Sequence, residues 1–268
     1  MLRQALAFLK KDFLIESSYK FAFLSNVSGV LISVLGYFFI DRLFGHRIVS
    51  QLQEFGVNYF SYVLLGMAFF SYIGVGIGSF SSRIESEQMQ GTLEATLLTP
   101  AKISTILFSM ALWNLIFATI DIALYIGLGI FLFKVSFANV NLISALVILI
   151  LTITSFSSLG ILSASFIMVF KRGNPVGWII NNLEGLIGGV YFPLTVMPLW
   201  LQSLAKFFPI TYAIRAIELA VYRGRSVTQL AKEITFLLLF SLVLLPLSLA
   251  AFKYAVKKAR MQGSLAQY

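Results

Sequence analysis

The chain has no cysteine and one histidine, His46, among 268 residues. The first absence excludes disulfides, thiolate metal sites and thiol nucleophiles, and leaves the redox compartment unread. A lone imidazole in a short connector, near Asp41 and Glu54, makes a poor metal site, so His46 reads as a solvated loop residue. A G-x-x-x-x-G-K-[ST] loop, an H-E-x-x-H pair and a G-x-S-x-G elbow are also missing. The sequence therefore offers neither a phosphate cradle nor a hydrolytic centre, and an intramembrane enzyme is disfavoured. Charge is scarce as well. Charged residues make up 12% of the chain against 59% hydrophobic, with a mean hydropathy of +0.89. A soluble domain carries roughly 25% charged residues. This composition implies an integral membrane protein, with residues 1–268 as a single membrane domain.

A helix needs about 20 apolar residues to cross the hydrocarbon core. Phe21 to Ile40, Val57 to Phe80, Ile103 to Phe133 (holding Asp121), Asn141 to Phe170 and Ile234 to Phe252 meet that length, and Asn174 to Leu194 meets it while carrying Glu184. The expected fold is all-α, with six transmembrane helices. Between Pro193 and residue 230, Pro193, Pro198 and Pro209 cut the chain into apolar pieces too short to span, as expected of an outer re-entrant hairpin before the sixth span. In residues 1–20, Leu2, Leu6, Leu9 and Phe13 recur at helical spacing, away from Arg3, Lys10 and Lys11. That pattern suits an amphipathic interfacial helix on anionic lipid, and no small-residue cleavage site follows it.

The net charge is +9, but Lys and Arg are scattered along connectors, which argues for topology and against nucleic acid. Cytoplasmic termini would put Lys10, Lys11, Lys20, Arg83, Lys102, Lys171, Arg172 and the Lys253 to Arg260 tail on the inside. The connector before the last span departs from this rule with Lys206, Arg215, Arg223, Arg225 and Lys232.

Between the second and third spans lies RIESEQMQGTLEATLLTP, Arg83 to Pro100, a polar interruption that must face water. Ser86 can cap a helix, Glu87 suits its first turn, and Pro100 ends it. Met89, Leu93 and Leu97 fall at i, i+4, i+8, an apolar ridge that could lie in a partner's groove, with Glu87 and Glu94 elsewhere. Gly91, inside that expected helix, suggests a bend or a close backbone contact.

ESEQMQGTLEATLLTP resembles the coupling-helix region of ATP-binding-cassette (ABC) exporter permeases of the type-2 family. The order of the remaining features is similar too: a basic amphipathic start, six spans, and YFPLTVMPLWLQSLAKFFPITYAIRA, which resembles the family's outer hairpin. The resemblance covers nearly the whole chain. It implies a transport subunit in the cell (inner) membrane, paired with a second permease subunit as a homodimer or with a relative, and driven by two cytoplasmic ABC ATPase subunits. ATP and Mg would sit on those partners, and no cofactor on this chain. Export of a bulky amphiphile follows, whether a drug-like compound, a lipid or a lipid-linked glycan.

Within the expected fifth span, Asn181, Glu184 and Gly188 share a helical face, with Trp178 one turn earlier. They either border a substrate route or hold helices together. For Asp121, with Asn114 two turns before it, the interhelical contact is the favoured reading. Gly74 and Gly78, and likewise Gly185 and Gly189, have G-x-x-x-G spacing, suited to packing within the subunit or against a second one. The competing function is an ion-coupled secondary transporter using Asp121 and Glu184.

Overall fold

The computed structural model describes residues 10, 20–43, 45, 47–93, 96, 103–170 and 187–261. Among the described residues there is no strand. Helix α1 spans Lys20–Leu43, α2 Tyr59–Met89, α3 Ile103–Phe131, α4 Leu142–Phe170, α5 Leu199–Ala205, α6 Pro209–Tyr222 and α7 Ala231–Met261. Of these, α1, α2, α3, α4 and α7 are long and apolar enough to cross a membrane. The expected fifth span, Asn174 to Leu194, lies outside the described residues except at its end, where Ile187 leads into a turn. The expected interfacial helix also lies outside them, apart from Lys10 and Lys20.

Asn58 starts α2 by accepting the Ser61 N–H at 3.1 Å. Asp41, fully buried at the end of α1, accepts the Phe60 N–H at 3.3 Å and the Asn58 amide at 3.2 Å. A carboxylate there satisfies an orphan donor and complements the positive end of the helix dipole. Helix α2 does not stop at Phe80 as the apolar run suggests. It continues to Met89 without a break, so Ser86 lies inside it and caps nothing. Residues 81–89 include no glycine or proline, and Arg83 Nε meets Glu87 Oε1 at 3.4 Å across one turn. Over 31 residues α2 reaches roughly 46 Å, more than the ~30 Å hydrocarbon core.

The core forms around α4, which packs most extensively on α2 and α7. Against α2 the backbones nearly touch. A Cβ on Gly160 would stand 2.4 Å from the Gly76 carbonyl oxygen, and one on Gly76 would stand 2.9 Å from Phe156 Cβ. Against α7, the Ser155 and Ser241 hydroxyls meet at 2.8 Å, and Ser241 also donates to the Leu151 carbonyl at 3.3 Å. Such hydroxyl pairs join helices where apolar attraction between them is weak.

The proline-cut region forms two short helices. Pro198 precedes α5, and Pro209 opens α6 at the position where a missing N–H costs nothing. With 14 residues, α6 reaches about 21 Å and cannot span. It is buried along most of its length against α4, α7 and α2.

Candidate functional site

The two ends of α2 face different surroundings. Around the Tyr59 end, Phe60, Tyr62, Val63, Leu64, Leu65, Ala68 and Phe69 are all buried. The Tyr62 hydroxyl donates to the Gly189 carbonyl, and the Tyr222 hydroxyl donates to the Ser61 carbonyl at 2.6 Å. Above them, Arg223 Nε and Nη2 donate to the Glu54 and Gln53 carbonyls at 3.0 and 2.6 Å, closing the 50–56 loop over α6. Gly56, at φ +73°, permits this, because a Cβ there would lie 2.7 Å from the Arg223 guanidinium carbon. Arg215 pairs with Glu54 at 2.7 Å and with Glu233 of α7 at 3.7 Å. Two of the cations that broke the expected charge asymmetry are therefore held in local contacts.

Beneath this clasp is a cavity of about 200 Å³ bounded by Gln51, Glu54, Tyr62, Gly188, Thr211 and Arg215, among others. Gly188 thus borders a small closed space at the Tyr59 end. Deeper in α6, Glu218 is fully buried, and among the described residues neither carboxyl oxygen has a hydrogen-bond partner. Burial pushes its carboxyl well above the usual carboxylate range.

Beyond Ser71 one face of α2 opens. Ser71, Gly74, Val75, Gly78, Ser79, Ser82, Arg83 and Ser86, with Asn114 and Asp121 of α3, line a groove of about 550 Å³. The i, i+3, i+4 spacing of the α2 residues puts them on one stripe. Asp121 accepts the Asn26 amide of α1 at 2.8 Å, so the contact between helices expected of it is present, with a partner 95 residues away. Among the described residues, Gly74 has no atom within 4 Å of a built Cβ, and Gly78 has only Ser82 Oγ at 4.0 Å. The expectation that this pair packs helices within the subunit is corrected: both face the groove, and Gly76, between them, makes the close contact. Gly189 adopts φ +87° in a turn instead of sitting on a helix face, and Gly185 lies outside the described residues.

At its far end α2 stops in a Schellman motif. The Thr92 N–H donates to the Glu87 carbonyl at 2.9 Å and the Gly91 N–H to that of Gln88 at 3.1 Å. Gly91 takes φ +68°, so it terminates a helix where the sequence reading placed it inside one. The consequence for the expected ridge is a second correction. Met89 is 72% exposed, whereas the chain reverses at Gly91 and buries Leu93 completely. Leu93 packs with Phe80 and Ile84 of α2, Ile161, Ala164, Ile167 and Met168 of α4, and Phe252, Ala255, Val256 and Ala259 of α7. Glu87 is buried on its ion pair with Arg83. Glu94, Leu97, Trp178, Asn181, Glu184 and His46 lie outside the described residues.

Sequence reasoning missed Asn26, Gly76, Gly160, Glu218 and the Arg223 clasp. A glutamate inside the apolar run AIRAIELAVY was the available signal for Glu218.

A bundle of membrane-length helices, with a polar groove along one of them and an exposed helix end, marks an integral membrane protein. Residues 3–222 match the family model described as ABC-2 type transporter. The chain belongs to the ABC-2 type transporter family. It is similar to the inner membrane transport permease YadH of Escherichia coli (strain K12), 24% identical over 208 residues, 75% of this chain and 79% of the relative. The same-named permease of Shigella flexneri aligns with the same figures.

Proposed function

We propose that this chain is the permease subunit of an ATP-driven exporter of the inner membrane, with cytoplasmic termini. It works as a pair of permease subunits, taken here as a homodimer, with two copies of a separate ABC ATPase that bind ATP and Mg. Its cargo is a bulky amphiphile, since the described spans are mostly apolar and carry few charged groups. The substrate route runs past Trp178, Asn181, Glu184 and Gly188, and Gly185 and Gly189 lie at subunit or helix contacts.

The observation that carries this reading is the Met89 end of α2. The helix projects past its apolar segment and presents Met89 and Gln90 to water. Two residues after the Gly91 turn, Leu93 is locked between α2, α4 and α7. A motor gripping Met89 would therefore push three membrane helices at once, because a packed interior transmits displacement instead of absorbing it. Met89 is the gripping residue and Leu93 the pin, with Glu87, Gly91, Glu94 and Leu97 completing the coupling segment. Residues 1–20 form the interfacial helix and 193–230 the outer re-entrant hairpin.

Reconstitution with the cognate ATPase tests this. Met89→Asp should weaken ATPase capture by about tenfold or more, the expected effect of a charge placed in an apolar contact. Leu93→Ala should leave capture intact and lower cargo moved per ATP. Transport driven by an ion gradient with no ATPase present would instead sustain the secondary-transporter reading.

A further inference from the structure

We infer that the groove between α2 and α3 is a binding site for a cationic amphiphile, with Asp121 holding the positive group. This rests on the transport reading and specifies its cargo class. Asp121 sits well inside α3, a helix that runs from Ile103 to Phe131. Carboxylates in such segments are costly and almost always face a partner or a watery cavity. Asp121 faces the groove. One oxygen takes the Asn26 amide, and among the described residues no Lys or Arg pairs with it. An ionised carboxylate offers about four acceptor positions, so one amide leaves most of its capacity unused.

The surroundings favour a cation over any other guest. Tyr125 follows Asp121 by one turn of α3, next to the residues that line the groove rather than among them. Its ring is only partly buried. Tyrosine faces attract ammonium and other organic cations. At the other end of the groove the one cation, Arg83, is engaged by Glu87, so an anionic head finds no free partner there among the described residues. Between these ends the wall offers Gly74, Gly78 and small hydroxyl side chains, shaped for an extended body.

The test uses the purified full-length permease in nanodiscs with no ATPase added, so that a failed motor interaction and a failed site are read separately. Rhodamine 6G, a lipophilic cation, is the probe, with binding followed by fluorescence anisotropy. Asp121→Asn should weaken binding by about tenfold or more, and Asp121→Glu should restore it to within about threefold. Tetraphenylphosphonium should displace the probe and tetraphenylborate should not. Asn26→Ala, which removes the structural hydrogen bond and keeps the charge, should bind within about threefold of the parent, which separates a ligand role from a purely structural one. Gly74→Leu fills the groove where, among the described residues, nothing lies within 4 Å of a Cβ, and should also abolish binding. Should Asp121→Asn fail to fold, Gly74→Leu decides the matter. Unchanged affinity in either folded variant, no binding to the parent, or equal displacement by tetraphenylborate overturns the inference.

Discussion

The Tyr59 and Met89 halves of α2 belong to one unbroken helix yet are built on opposite rules. From Phe60 to Phe69 every residue is buried, wrapped by α4, α6, the 50–56 loop and the turn at Gly189. From Ser71 to Met89 buried and open positions alternate around the helix, and one stripe faces a groove. In the first half glycine serves contact: a Cβ on Gly66 would stand 2.5 Å from the Val190 carbonyl oxygen. In the second, Gly76 still packs on α4, but Gly74 on the groove stripe leaves space among the described residues. A helix held on every side at one end and open along one stripe at the other suits the proposed coupling, in which Met89 takes the push and the Tyr59 end stays closed.

The sharpest way to break this contrast is to make the same substitution on both sides of it. Gly66→Ala places a methyl 2.5 Å from the Val190 carbonyl oxygen, and the nearest atoms are all backbone, which leaves nothing flexible to yield. It should cost about 3 kcal/mol, at the upper end for overpacking. Gly74→Ala meets nothing and should gain up to about 1 kcal/mol from helix propensity. Unfolding in mixed micelles against SDS mole fraction measures both. Similar destabilisation by the two substitutions would show that the groove face is packed after all.

The clasp over the Tyr59 end is expected to matter less, because Arg223 is exposed. Arg223→Ala leaves the Gln53 and Glu54 carbonyls without their guanidinium donor and should cost about 2 kcal/mol, the lower range for hydrogen bonds to a charged group. Limited proteolysis should then cut faster at residues 47–56. An unchanged cleavage rate there would mean that Arg215 and Glu54 hold the loop alone.

What the sequence made legible follows from what a bilayer demands. Apolar length alone located α1, α2, α3, α4 and α7 to within a few residues at most ends, since nothing else crosses hydrocarbon. Pro193, Pro198 and Pro209 marked the two short helices because proline fixes where a helix can begin. Rotational features were hidden. Gly74, Gly76 and Gly78 look equivalent in a string, and only the azimuth of α2 against α4 decides that Gly76 packs. The end of α2 was misplaced because Ser86 is a good cap only if the helix before it has ended, and nothing from Phe80 to Met89 ends it. Partners distant in sequence, such as Asn26 for Asp121 or Glu54 for Arg215, leave no local trace.

Glu218 sharpens the contrast in a different way, since it puts a titratable group in the most closed part of the molecule. Its carboxyl is buried with Tyr62 and Tyr222 nearby, Arg215 one turn away is held by Glu54 and Glu233, and no donor reaches either oxygen. The folded state therefore keeps it protonated well above the ordinary glutamate range, while the unfolded chain releases the proton near its usual value of about 4.3. The folded form binds the extra proton, so stability is greatest below that value and falls as pH rises toward the raised folded one, by at most about 1.4 kcal/mol per pH unit. Glu218→Gln keeps the shape of the neutral acid and cannot ionise. Thermal unfolding of the two proteins should diverge as pH rises above the unfolded-chain value of about 4.3, the variant gaining on the parent. Parallel curves would mean that the carboxyl finds a donor or water in the assembled transporter, and that the Tyr59 end is less tightly closed than α6 suggests.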